Sequence, residues 1–234
     1  MRAMLSNPLI NRCPILILVL LVQFAYSQGG SQNNMATRIL NTDYLIKNNV
    51  SLTEVKGSPF LQDSWQKAYL YLNGGERVYV EKMKLNGYTG ELHYIDDKGL
   101  ELACVEGSVI HFDLLNAKDT TQVIRSYQAY TAPNKNNQFL FYEVHNTGVF
   151  QIVSRIEKFI FTENFDPLKG KSERYFKTNT LYGIITKGVL SPIKEISYSN
   201  VINASPSILN KAGMSNKTKI RSINDVIQFF KELN

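Results

Sequence analysis

A regular series of short strand-like segments, joined by brief turn sequences, is the feature that most constrains the fold of this chain. The segments alternate apolar and polar residues or form short apolar runs, and turn sequences such as Asn73-Gly74 and Asp96-Asp97-Lys98-Gly99 separate them. Such short connections join antiparallel neighbours and leave no room for a crossover helix. The predicted strands are residues 65–72, 77–85, 91–95, 100–105, 108–115, 122–130, 139–145, 149–161, 175–178, 181–186 and 189–193.

The hydrophobic pattern changes over the last forty or so residues from a period of two to one near 3.6. Ser222-Ile223-Asn224-Asp225 is similar to a capping box, and the apolar stripe that follows it predicts a helix. The fold class predicted is mainly β (α+β): an antiparallel meander sheet with a small C-terminal helical element. A sandwich and a partly open barrel fit the strand series equally well. Segments 175–178 and 181–186 are expected to pair around Asn179.

The first 27 residues have the three parts of a secretory signal peptide. Arg2 and Arg12 supply positive charge, residues 14–24 are largely apolar, and small residues lie at the −3 and −1 positions of a cleavage site between Ser27 and Gln28. The apolar run is too short for a membrane anchor, so no transmembrane span is expected after cleavage. The chain is predicted to be exported to the periplasm, the cell surface or the medium.

The remainder divides, by composition, into three parts. Residues 28–56 are a polar leader and entry segment, residues 57–195 an antiparallel β body, and residues 196–234 C-terminal helices packed on the body. Within the leader, residues 38–48 fit a helix or a strand. The net charge of +6 falls to +4 when Arg2 and Arg12 are removed with the signal peptide, and it is spread thinly, so a nucleic-acid partner is not expected.

The common catalytic signatures are missing from the sequence. The sequence contains no Gly-x-Ser-x-Gly elbow, phosphate-binding loop or dinucleotide fingerprint, so neither catalytic residues nor a cofactor are predicted. A Ser/His/Asp set assembled by the fold stays open, because triads are defined by geometry. Cleavage would leave Cys104 as the one cysteine, in an apolar strand context that favours a buried, inert thiol.

Two sets of residues are candidates for binding. His111 and Asp113 lie at i and i+2 of a strand and share a face, so with a third ligand such as His93 they could hold a metal ion; a hydrogen-bonded surface pair is the simpler interpretation. Trp65, Tyr69 and Tyr71 also share a strand face. We expect these rings to line the core, with a platform for a glycan or a flat apolar ligand as the alternative.

One segment resembles a known family. Residues 57–67 read Gly-Ser-Pro-Phe-Leu-Gln-Asp-Ser-Trp-Gln-Lys, which is similar to the G-S-P-[YF]-L-x-[DE]-x-W-x-K opening of a family of secreted Bacteroidota proteins. Tyr88-Thr89-Gly90-Glu91-Leu92-His93-Tyr94 matches the Y-x-[GN]-E-L-x-[YF] step that follows in that family. The resemblance spans about residues 57–234. It implies a secreted bacterial protein and supplies no catalytic residue.

These observations predict an exported bacterial envelope protein that is not an enzyme and acts through protein or surface contacts. The alternative is a small-ligand binding module for a glycan or a lipid, and a hydrolase with an unrecognised site is the third hypothesis. An envelope protein or a glycan is the partner expected.

Overall fold

In the computed structural model, the structure describes residues 37–39, 54–131, 138–163, 172–208 and 219–233. All of them belong to Met35–Asn234, the second of two units into which the chain divides. The predicted signal peptide and its cleavage site between Ser27 and Gln28 lie outside the described residues, as does most of the leader.

Twelve strands and two helices are formed by the described residues. The strands are β1 (Thr37–Ile39), β2 (Val55–Lys56), β3 (Gln66–Leu72), β4 (Arg77–Leu85), β5 (Leu92–Ile95), β6 (Glu101–Cys104), β7 (Val109–Leu115), β8 (Val123–Thr131), β9 (Phe139–Val144), β10 (Phe150–Thr162), β11 (Arg174–Thr186) and β12 (Val189–Ile193). The helices are α1 (Tyr198–Ala204) and α2 (Ile223–Leu233).

The described strands belong to one sheet that is not closed, with the order β1-β6-β5-β4-β3-β7-β8-β9-β10-β11-β12. Neighbours along this path are antiparallel, and β2 adds a short parallel pairing with β11. The prediction of a mainly β fold with a small C-terminal helix is confirmed.

The predicted meander is wrong at one place, because β7 pairs with β3 and not with β6, the strand before it. In a flat sheet, β6 and β7 would lie four strand spacings apart, which is about 19 Å at 4.7–4.9 Å per spacing. The chain from Cys104 to Val109 spans at most about 18 Å when fully extended. Strands β3 to β7 must therefore curl, and the curl brings the ends of β6 and β7 together.

Strand β11 also differs from the prediction of two short strands around Asn179. It runs unbroken from Arg174 to Thr186, and its whole length is paired with β10. Asn179 lies opposite Glu157 in the middle of this ribbon. The partner strand satisfies the backbone groups of the polar, exposed middle of β11, so the break that its sequence suggests does not form.

The curled part of the sheet encloses the larger hydrophobic core. Its buried side chains come from β3 through β9 and include Leu70, Met83, Leu92 and Phe112, each exposed by 2% or less. A second core lies where α1 and α2 cover β10 to β12, with Phe230 of α2 packed against Phe150 of β10. The helices thus cover one face of the sheet near the start of β10 and the end of β11.

The start of α2 has the predicted capping box. The Ser222 hydroxyl accepts a hydrogen bond from the Asp225 amide at 3.3 Å, and the Asp225 carboxylate accepts from the amides of Ser222 and Arg221, each at 2.9 Å. These bonds hold the pKa of Asp225 below its usual value, chiefly through the Arg221 amide. They also satisfy backbone donors that the first turn of a helix leaves free.

The segment preceding β3 ties the curl to β10. The Gly87 amide, in the β4–β5 turn, donates to the Pro59 carbonyl at 2.9 Å, and the Lys158 amide of β10 donates to the Gly87 carbonyl at 2.9 Å. The β3–β4 turn differs in detail from the Asn73-Gly74 prediction. There Gly75 adopts the left-handed conformation (φ +85°), which glycine enters at little cost.

Candidate functional site

The two tyrosines of β3 lie on the outer face of the curled sheet. Ala68 and Leu70 are fully buried and Leu72 is 6% exposed, so these alternate residues form the core face. Tyr69 and Tyr71 point the other way and are half-buried. The expectation that the rings line the core is therefore wrong. The core face of β3 thus buries side chains without polar atoms, while a tyrosine on the outer face keeps its hydroxyl near polar partners.

Tyr69 forms a contact group with residues of the neighbouring strand β4. Its ring packs edge-on against Tyr79 with 5.6 Å between centroids, and the guanidinium carbon of Arg77 lies 4.2 Å above the Tyr69 ring. The Tyr79 hydroxyl donates to Glu81. Tyr79 is 44% exposed, so the group presents aromatic surface and charge to solvent together.

Tyr71 joins the two candidate residues of β7. Its hydroxyl donates to Oδ2 of Asp113 at 3.0 Å, and its ring packs edge-on against His111 at 4.7 Å between centroids. Ser126 of β8 donates to Oδ1 of Asp113 at 2.7 Å. Two candidates for metal binding, His111 and Asp113, thus lie on one face with the ligand-binding candidate Tyr71.

We call this surface the tyrosine patch. It consists of Tyr69, Tyr71, Arg77, Tyr79, Glu81, His111, Asp113 and Ser126. Strand register explains the grouping: Tyr69 lies opposite Tyr79 and Asp113, and Asp113 lies opposite Ser126. Residues directly opposite on adjacent strands share a face, with Cβ atoms about 4.5–5.5 Å apart.

Ser126, His111 and Asp113 do not have the geometry of a catalytic triad. Nε2 of His111 lies 2.9 Å from Oδ1 of Asp113 and 3.3 Å from the Ser126 hydroxyl, so both partners meet the same ring nitrogen. A triad needs the carboxylate on one nitrogen and the nucleophile on the other. The arrangement is a hydrogen-bond network centred on the carboxylate.

The third metal ligand suggested for this pair is elsewhere. His93 lies on β5, separated from β7 by β4 and β3, and its Nδ1 is 2.8 Å from Glu101. Among the described residues, no group of three or more His, Cys, Asp or Glu side chains could hold a metal ion. His111 and Asp113 therefore form a hydrogen-bonded pair in this structure.

Trp65 precedes β3, and its ring has a different partner from those of Tyr69 and Tyr71. The Lys84 ammonium lies 4.7 Å above the Trp65 ring and 5.2 Å from the Phe60 ring. Phe60 in turn packs edge-on against His93 at 5.1 Å. Trp65 therefore belongs to a neighbouring aromatic group around Lys84.

A cavity of about 410 Å³ opens at one end of the curl, and the sequence contained no signal for it. It lies where the β4–β5 turn and the β6–β7 turn meet the start of β9, segments far apart in the chain. Cys104 is one of its lining residues; it is buried, as predicted, and burial raises the pKa of this thiol to about 12.

Three titratable groups with shifted pKa values, on β8 and just after β9, lie away from this cavity. Burial raises the pKa of Tyr127 and of Tyr130 to about 12 and lowers the pKa of His145. The Tyr127 hydroxyl donates to Glu143, and His145 Nε2 lies 2.8 Å from the Ser154 hydroxyl. None of these residues lines the cavity, so their shifts reflect packing in the sheet.

Within the described part of the chain, no helix has the length and apolar character needed to cross a membrane. Comparisons with known protein families, with curated proteins and with solved structures find no match for this chain.

Proposed function

We propose that this chain is an exported bacterial envelope protein that is not an enzyme and acts through contacts of its tyrosine patch with another protein or a surface. The observation that carries the proposal is the placement of this patch on the outer face of the curled sheet. The opposite face of β3 supplies the core residues Ala68, Leu70 and Leu72, so the patch is not part of the core. Its three tyrosine rings are already held by Arg77, Glu81 and Asp113, so they would lose little side-chain freedom on binding.

Tyrosine and arginine suit a contact surface for a physical reason. Both bury a large area when a partner covers them, and both keep a hydrogen-bonding group at the tip. The patch combines these with one acidic side chain at the surface, Glu81, and one nearly buried, Asp113. A partner with polar groups spaced over an apolar surface would match it.

Export is supported by the signal-peptide features of residues 1–27 and by the resemblance of residues 57–67 to secreted Bacteroidota proteins. The protein would act in the periplasm, at the cell surface or outside the cell. Expression of the full chain in a Gram-negative host, followed by mass determination of the exported product, tests this. A product that begins at Gln28 supports it, and an uncleaved product retained in the cytoplasm contradicts it.

A small-ligand binding module for a glycan or a lipid is the second candidate, and the cavity at the end of the curl favours it. A hydrolase is less well supported, because Ser126 and Asp113 share one nitrogen of His111.

The contact function can be tested by co-sedimentation of the purified exported chain with envelope fragments from a Bacteroidota bacterium. We expect saturable binding that falls at least fivefold when Tyr69 and Tyr79 are both replaced by alanine. Phe159→Ala is the matched control, since Phe159 is 41% exposed, much like Tyr79, and belongs to the long β10–β11 ribbon.

Equal loss in the Phe159→Ala control, or full binding by the double variant, would contradict a role for the patch. Release of soluble fragments from the envelope material would instead point to the hydrolase. Binding to purified glycans that the double variant loses would favour a small-ligand module that binds at the patch and not in the cavity.

A further inference from the structure

The cavity at the end of the curl combines an apolar floor with an acidic rim. Leu92, Val109 and Phe141 form the floor together with Cys104, and each is less than 10% exposed as a member of the larger core. At about 410 Å³, the cavity lies within the range typical of small-molecule sites, about 300–1,000 Å³. The floor would accept an apolar body.

The rim has one sign of charge. Among the described residues that line the cavity, Glu91 and Glu106 are the charged ones, and both are acidic. A carboxylate oxygen of Glu106 accepts from the Phe139 amide at 3.0 Å, which holds that side chain in place, and a carboxylate oxygen of Glu91 lies 3.8 Å from Nε2 of His93. The acidic rim favours a cationic ligand over an anionic one.

Besides Phe141 of the floor, two further aromatic residues line the cavity. Tyr88 comes from the β4–β5 turn, and Phe139 begins β9. Ring faces attract organic cations, an effect added to that of the carboxylates. We propose that this cavity binds a small organic cation with an apolar body, such as an alkyl ammonium compound. The cationic head lies between Glu91 and Glu106, and the apolar part lies on Leu92, Val109 and Phe141. This site is separate from the tyrosine patch and does not depend on the function proposed for it.

The test is calorimetric titration of the purified exported chain with three amphiphiles that share an eight-carbon tail, each kept below its micelle concentration. These are octyltrimethylammonium, octyl glucoside and nonanoate. We expect saturable binding of one octyltrimethylammonium per chain, at least tenfold tighter than that of the neutral or the anionic compound. Equal binding of the three compounds, or no binding of the cation at millimolar concentration, would overturn the proposal.

Variants that remove one negative charge test whether the cation binds at the cavity rim. Glu106→Gln keeps a side-chain oxygen that can accept from the Phe139 amide, so the fold is expected to survive while binding of octyltrimethylammonium weakens about fivefold or more. Glu91→Gln is expected to act in the same direction and gives a second, independent variant. Asp97→Asn, in the exposed β5–β6 turn outside the cavity, removes the same charge and is expected to change binding less than twofold.

An equal effect of Asp97→Asn and Glu106→Gln would mean that the cation responds only to overall charge, and the proposed site would be wrong. The thermal unfolding midpoint of each variant is measured without ligand. An unchanged midpoint shows that weaker binding does not come from unfolded protein. If one rim variant unfolds, the proposal is tested with the other.

Discussion

Tyr71 and Asp113 are joined across the β3–β7 pairing by a hydrogen bond of 3.0 Å from the tyrosine hydroxyl to Oδ2. The partner of Tyr71 in register is His111, so this bond reaches diagonally to the next outward residue of β7. Burial and the bond to Asp113 raise the pKa of Tyr71. Asp113 is only 8% exposed and also accepts from Ser126, so it is the centre that orders this side of the tyrosine patch.

Replacing either member of this pair is expected to lower the free energy of unfolding by different amounts. Tyr71→Phe removes one donor and leaves Asp113 with Ser126 and His111, so a loss of about 1 kcal/mol is expected. Asp113→Ala leaves the hydroxyls of both Tyr71 and Ser126 without their acceptor, and about 2 kcal/mol is expected. Urea unfolding with an unchanged m value measures both, and a larger loss for Tyr71→Phe would contradict the central role of Asp113.

Stability should fall at alkaline pH because of Tyr127. Burial raises its pKa in the folded chain to about 12, against about 10 in an unfolded chain. Between these values unfolding releases a proton, so the free energy of unfolding falls as pH rises from about 10 to about 12. The full contribution, about 2–3 kcal/mol, is present below pH 10.

Tyr127→Phe removes this titration. The variant loses the donor to Glu143 but should show a flatter decline than the wild type when urea midpoints are compared at pH 8, 10 and 11. Parallel declines in the two proteins would show that Tyr127 does not drive the alkaline loss.

Gly87 has no room for a side chain. A Cβ atom there would lie 2.6 Å from Cδ2 of Leu61 and 2.8 Å from Cγ of Lys158, so Gly87→Ala must push the entry segment or β10 away. A loss of about 1–3 kcal/mol is expected, as for overpacked sites generally. Gly74→Ala is the control, because nothing lies within 4 Å of the added atom and the φ of Gly74 is outside the left-handed region.

Thermal unfolding of the two glycine variants compares them directly. Gly87→Ala should lower the midpoint by several degrees and Gly74→Ala by much less. A midpoint equal to that of the wild type for Gly87→Ala would show that the link between the β4–β5 turn and β10 gives way easily.

Cys104 should react with thiol reagents only when the chain unfolds. It is 7% exposed, and burial raises its pKa to about 12, so little thiolate is present at pH 8. Labelling with a chromogenic disulfide at increasing urea should follow the unfolding curve measured by fluorescence. Fast labelling in the absence of urea would mean that the end cavity opens widely enough to expose the sulfur.

Local sequence patterns predicted strands well where the turns between them were clear. β4 and β12 begin and end at the predicted residues. The turn sequences Asn73-Gly74-Gly75 and Gly188, which come just before these strands, mark where each one begins. The break expected at Asn179 did not form, since a long partner strand outweighed the low strand propensity of the middle of β11. The capping box of α2 was recognisable because its contacts lie within four residues.

Which candidate residues lie together in the fold was harder to predict from the sequence. Tyr69, Tyr71, His111 and Asp113 were each identified, but their meeting depends on β7 pairing with β3, a contact more than forty residues apart in sequence. The cavity was missed because its lining comes from three separate turns and strand ends.

The sequence by itself determined the strand and turn alternation, the mainly β class and the cap of α2, because these depend on neighbours along the chain. It also established that Tyr69 and Tyr71 share a face. Only the tertiary structure decided that this face points outward, since a period of two is the same for both faces of a strand. The short β6–β7 connection forced the curl, and the curl selected Ala68, Leu70 and Leu72 for its interior.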